Sequence, residues 1–161
     1  MTSTTAPKLK INRLLNGSAE KIFSAWTDPA RLVQWFGPSE RMTCEVPELE
    51  LRVGGRYTIL MHSPDGERHC VSGEYREIIP NEKLVFSWAW ESTPDRVSQV
   101  TVTLRPHGDQ TRLQLTHEQF FDESIRDRHN EGWSGSLDRL AAKIETLLPR
   151  SASGASATVS V

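Results

Sequence analysis

DESIRDRHNEGWSGSLDRLAAKIETLL, residues 122–148, is the stretch on which the fold turns. Ile125, His129, Trp133, Leu137, Leu140, Ile144 and Leu148 recur every three or four residues, which sets them along one stripe of an α-helix. Arg126, Glu131, Asp138, Arg139, Lys143 and Glu145 fall outside that stripe. Asp122 or Ser124 supplies a side-chain oxygen for the unpaired N–H groups at the start, and Pro149 ends the segment. At about 1.5 Å per residue the helix runs roughly 40 Å, enough to cross a small sheet, so the preceding chain reads as the surface it lies on. Gly132 and Gly135 flank Trp133, and a glycine inside a helix costs about 1 kcal/mol relative to alanine. Two readings stay open: a bend or a close approach of the sheet, or a helix loosened over an internal space into which Trp133 points.

Working back from the helix, Met42 to His117 alternates with period two between regularly spaced turns. Gly54-Gly55 precedes a strand from Arg56 to His62, and Ser63-Pro64-Asp65-Gly66 turns the chain. Further strands are expected at Val71–Ile79, Lys83–Glu91, Val97–Arg105 and Thr111–Phe120. Adjacent strands joined by short turns, with no helices between them, make an antiparallel meander. Alternation puts Leu84, Phe86, Trp88 and Trp90 on one face, along with Val100, Val102 and Leu104, with Leu113, Leu115 and His117, and with Tyr57, Ile59 and Met61. Two Trp residues on one strand are either filling for a well-packed core or the walls of a cavity in a curved sheet. Ahead of the meander lie a strand from Leu9 to Leu15, a helix capped by Ser18 with Ile22, Phe23 and Trp26 on one side, and a short helix opened by Asp28-Pro29 that presents Leu32, Trp35 and Phe36.

The chain has 161 residues and a net charge of −2, without runs of like charge, so it carries one domain and no electrostatic footprint for nucleic acid. Residues 1–7 and the Ser- and Ala-rich 149–161 read as disordered ends around a domain at 8–148. MTSTTAPKLK has no apolar signal region and no run is long enough to span a bilayer, so the expectation is a cytoplasmic protein with Cys44 and Cys70 as free thiols.

A strand, two short helices, a six-strand meander and a long final helix make an α+β order of elements that resembles the helix-grip fold of the START and birch-pollen-allergen (SRPBCC) superfamily. Ala25-Trp26-Thr27-Asp28-Pro29, Trp35-Phe36-Gly37-Pro38, Val53-Gly54-Gly55-Arg56-Tyr57, Gly73-Glu74-Tyr75, Pro80-Asn81-Glu82-Lys83-Leu84 and His129-Asn130-Glu131-Gly132-Trp133 sharpen it. With these motifs the chain is similar, over roughly residues 8 to 148, to stand-alone bacterial relatives of the C-terminal domain of the heat-shock-protein-90 ATPase activator. The resemblance implies a curved sheet of about seven strands gripping the long helix, with a deep apolar cavity between them. Superfamily cavities hold lipids, sterols, polyketides or plant hormones, and some members are cyclases or aromatases. The family name also implies a chaperone partner, although the eukaryotic activators carry a separate N-terminal domain with no counterpart here.

No phosphate loop, nucleotide fingerprint, paired Cys at metal spacing, HExxH or G-x-S-x-G is present, so neither a cofactor nor a metal is expected. The five histidines lie on separate elements. His117 and His129 fall on the inward phase of the last strand and of the helix, as core residues or as proton-moving ones; His69 and His107 read as exposed, near turns. The leading expectation is a binder of a small hydrophobic molecule. Phe36, Met61, Phe86, Trp88, Trp90, Trp133 and Leu137 would supply apolar contact and Tyr57, His117 and His129 hydrogen bonds. The alternatives are a cyclase-type enzyme using the same cavity and a chaperone partner binding through an outer face.

Overall fold

The computed structural model describes residues 7–37, 39 and 41–144. Strand β1 (Leu9–Leu15) leads to α1 (Ala19–Thr27) and α2 (Pro29–Leu32). A meander follows: β2 (Thr43–Leu49), β3 (Arg56–His62), β4 (Arg68–Ile79), β5 (Lys83–Trp90), β6 (Ser98–His107) and β7 (Gln110–Glu118), and then α3 (Glu123–Lys143). All pairings are antiparallel, in the order β1-β7-β6-β5-β4-β3-β2, so the first strand docks beside the last with Leu9 opposite His117. The expected α+β helix-grip architecture is present.

Local chemistry sets the element boundaries. Ser18 Oγ accepts the Lys21 N–H at 3.1 Å, Asp28 Oδ1 the Ala30 N–H at 3.1 Å, and Asp122 Oδ1 the Ile125 N–H at 2.8 Å, so Asp122 rather than Ser124 caps α3. The expected end of that helix at Leu148, its stop at Pro149 and the tail 149–161 lie outside the described residues, as do residues 1–6. Pro7 is tied down, its carbonyl accepting the Phe120 N–H at 3.3 Å.

Two register shifts bend the sheet, between Glu45 and Glu48 on edge strand β2 and between Tyr75 and Glu77 on β4. Pro47 fits the first, since an edge strand tolerates a missing N–H. Beside the second, a Cβ on Gly73 would collide with the Ser87 carbonyl and come within 2.8 Å of the Tyr57 ring. Gly73 is therefore a close-approach glycine.

The concave face carries the alternating residues: Tyr57, Ile59, Leu84, Phe86, Trp88, Val100, Val102, Leu113, Leu115 and His117 are all buried. Against them pack Trp133, Leu137 and Leu140 of α3 with Ile144 just past its end, and Ile22 and Trp26 of α1 with Trp35 just after α2. Cys44 is buried and Cys70 half-buried, both free thiols. Burial pushes the Cys44 thiol up to about 12.

Two residues outside the apolar stripe of α3 turn inward. Arg139 is 8% exposed, and its guanidinium donates to the carbonyls of Phe36 at 3.2 Å and Gly37 at 3.1 Å, while Lys143 Nζ donates to the Gln34 carbonyl at 3.0 Å. Helix α2 has a single turn, which leaves the carbonyls after it without helical partners, and two cations from α3 satisfy them. Helical periodicity sees only the apolar stripe and not this demand from another element.

Candidate functional site

A cavity of about 370 Å³ lies between α3 and the sheet. Met61, His69, Trp88 and Trp90 of β3, β4 and β5 form its sheet side, and Phe36, Gly37 and Met42, from the connection between α2 and β2, close one end. The helix side is Arg128, His129, Gly132, Trp133 and Ser136. The volume falls within the ordinary range for small-molecule sites, roughly 300–1,000 Å³.

Of the residues singled out in the sequence, Phe36, Met61, Trp88, Trp90, His129 and Trp133 meet on this wall. Tyr57 and Phe86 do not. Tyr57 Oη donates to the Ser87 carbonyl at 2.6 Å, and the two rings, 5.4 Å apart, line a separate void of about 20 Å³, enough for a single water. Leu137 is wholly buried in the core, and His117 lies behind the wall, also wholly buried.

Two histidines organise the indoles. An indole N–H can only donate, so each nitrogen it faces must be unprotonated. Trp90 Nε1 at 2.9 Å and Trp88 Nε1 at 3.3 Å both point at His129 Nε2, which leaves the His129 proton on Nδ1, donated to the Ile125 carbonyl at 2.8 Å. Trp133 Nε1 donates to His117 Nδ1 at 3.0 Å, so His117 carries its proton on Nε2 and gives it to Ser98 Oγ at 2.7 Å. The Ser98 hydroxyl donates in turn to the Trp88 carbonyl at 3.2 Å. Burial holds the His117 pKa well below the usual histidine value, with the nearby His129 adding to the effect. Burial lowers His129 too, partly opposed by its bond to the Ile125 carbonyl. Both rings are neutral acceptors at pH 7, with both nitrogens of each engaged.

The rings form one continuous layer. Trp35 meets Trp26 edge-on at 4.8 Å, Trp26 stacks on Trp133 at 5.8 Å, Trp133 lies 5.1 Å from Trp88, and Trp88 meets Trp90 edge-on at 5.5 Å. Trp35 Nε1 donates to the Ala25 carbonyl at 3.0 Å, so the layer is held at both ends by hydrogen bonds.

At Gly132 close approach of the sheet does not account for the glycine. A Cβ there would meet nothing within 4 Å, so the sheet does not press on this residue; it borders open cavity. Five wall residues escaped the sequence reading: Gly37, Met42, His69, Arg128 and Ser136. A signal for part of this set was present, because Arg128, Gly132 and Ser136 repeat every four residues and form a second stripe beside His129 and Trp133. His69 was expected near a turn and exposed, but it lies on β4 opposite Met61 and borders the cavity while remaining part-exposed.

Residues 16–145 match the family described as Activator of Hsp90 ATPase homolog 1-like protein. A mouse protein, Activator of 90 kDa heat shock protein ATPase homolog 2, is 30% identical over 108 residues, which are 66% of this chain and 28% of that protein. The chain thus spans little more than a quarter of the length of that curated relative. Among solved structures, a protein of Chromobacterium violaceum superposes with a TM-score of 0.79 at 29% identity, over 86% of this chain and 97% of that one. An AHSA1 protein of Silicibacter pomeroyi gives a TM-score of 0.76 at 31% identity, over 86% and 98%.

Proposed function

The chain belongs to the Activator of Hsp90 ATPase homolog 1-like family, and from that premise we propose that it binds a small hydrophobic, aromatic or lipid-like molecule in the cavity between sheet and α3. The observation that carries this reading is the state of the wall. The N–H groups of Trp88, Trp90 and Trp133 are all committed to histidine nitrogens, so these side chains turn ring surface rather than donors to the space. Phe36, Met42 and Met61 complete an apolar lining. Burying roughly 300 Å² of ligand surface at about 25 cal/mol per Å² contributes about 7.5 kcal/mol before ordering costs, which sets micromolar affinity as the upper limit.

The cyclase-type alternative requires a histidine free to move a proton. His129 borders the cavity with both nitrogens engaged, and His117 is sealed behind Trp133, so the geometry favours holding a molecule over transforming it. Calorimetric titration with a neutral bicyclic probe, 2-naphthalenemethanol, tests the proposal. Saturable 1:1 binding that Trp90→Ala weakens is expected; absence of binding at millimolar probe would refute it.

A further inference from the structure

The three residues of the second stripe of α3 differ in exposure along the helix. Ser136 is buried, its Oγ accepting the Gly37 N–H at 3.2 Å, so the cavity is closed there. Gly132, four residues earlier, leaves open space, and Arg128, four earlier again, is exposed. Eight residues at about 1.5 Å each separate the closed end from Arg128 by roughly 12 Å along the helix axis. At about 30 Å³ for each water-sized group, the volume of about 370 Å³ holds about a dozen of them.

Among the described residues of the wall the one permanent charge is a cation, Arg128. Among the described residues no aspartate or glutamate lines the cavity, whereas Arg128 on the helix and His69 on β4 border it. Arg128 makes no hydrogen bond or ion pair with any described residue. Glu67 Oε1 lies 3.7 Å from His69 Nε2 with its side chain 69% exposed, so it accompanies His69 from solvent and leaves Arg128 unmatched. Among the described residues the deep wall offers no charge, and its indole donors are committed to histidines.

We infer that the molecule held here is an amphiphile: an apolar body of about a dozen heavy atoms seated against Trp88, Trp90 and Trp133, with a carboxylate at the rim facing Arg128 and the His69 ring N–H. The inference rests on the ligand-binding reading above and specifies its chemical class. A carboxylate is better hydrated than an alcohol of the same skeleton, so a cavity without a cationic rim would prefer the alcohol. Preference for the acid therefore reports the rim, and binding of the alcohol reports the cavity.

The test is calorimetric titration of the full chain with 2-naphthoate, 2-naphthalenemethanol and 2-naphthylmethylamine at pH 7.5, at low and at 0.3 M salt. The expected order is acid, then alcohol, then amine. Arg128→Gln should lower affinity for the acid about two- to five-fold, the size of an exposed ion pair, and leave the alcohol unchanged. His69→Gln should have a smaller effect in the same direction, and 0.3 M salt should narrow the acid's advantage. Equal or stronger binding of the alcohol by the parent overturns the anionic class, and acid affinity unchanged in Arg128→Gln overturns the cationic rim, each leaving the cavity reading in place. Failure of all three compounds to bind overturns both.

Discussion

Gly132 offers a perturbation whose sign follows from the geometry. A Cβ there meets nothing within 4 Å, so Gly132→Ala adds no clash and removes the helix penalty of glycine, a gain of about 0.8–1 kcal/mol. In a domain of this size that corresponds to a melting temperature about 2–4 °C higher. Gly132→Leu goes further. Its four side-chain heavy atoms, at about 30 Å³ each, fill roughly a third of the 370 Å³ cavity. They lie against aromatic rings and Met side chains, where each buried methylene is worth up to about 0.8 kcal/mol, so the leucine variant should be about 1–2 kcal/mol more stable than the parent. It should also lose ligand. Displacing about 100 Å² of ligand contact removes about 2.5 kcal/mol, so affinity for 2-naphthalenemethanol should fall at least tenfold. Differential scanning calorimetry gives the stability and isothermal titration the affinity. A melting temperature lowered by Gly132→Ala, or probe affinity unchanged in Gly132→Leu, would refute the reasoning that this glycine clears space for a ligand.

Other variants test the framework around the cavity. Both indole-bonded histidines have pKa values lowered in the folded state, so the unfolded chain binds more protons as pH falls below about 6.5; their contribution is intact above that value and is lost between it and the lower folded values. His117→Gln, whose amide can accept from Trp133 and donate to Ser98, should therefore lose less melting temperature between pH 7.5 and pH 5 than the parent. Gly73→Ala should destabilise by about 3 kcal/mol in urea titration, because its methyl collides with the Ser87 carbonyl. Arg139→Met leaves the carbonyls of Phe36 and Gly37 without their donor and should cost about 2–4 kcal/mol by the same method, with Arg139→Lys restoring only part because an ammonium lacks the fork.

The sheet was legible because its signals are local. Alternation at Tyr57, Ile59 and Met61 survives into the burial pattern, whereas Leu84 to Trp88 on β5 are buried without a break, and Gly66 and Gly108 turn the chain at positive φ of 92° and 66°. Ser18, Asp28 and Asp122 cap as their positions predict. What escaped depends on how distant elements meet. Arg139 lies outside the apolar stripe of α3, and nothing near it in sequence announces the carbonyls of residues 36 and 37 that draw it inward. Tyr57 has the alternation of a cavity residue, but its hydroxyl donates to the Ser87 carbonyl on β5, two strands away across Gly73 of β4. The roles of His117 and His129 follow from which indole faces which ring nitrogen, and periodicity gives only their inward phase.

The most direct measurement of the central claim is the set of five indole N–H resonances, one for each Trp, in a ¹H–¹⁵N spectrum assigned by single Trp→Phe variants and titrated with 2-naphthalenemethanol. A ligand seated in this cavity shifts the signals of Trp88, Trp90 and Trp133, which border it, along one saturable curve, and leaves Trp35, bonded to the Ala25 carbonyl away from the wall, near its starting position. Signals of Trp88, Trp90 and Trp133 that stay fixed at millimolar probe, or a response confined to Trp35, would contradict a binding cavity beneath the helix.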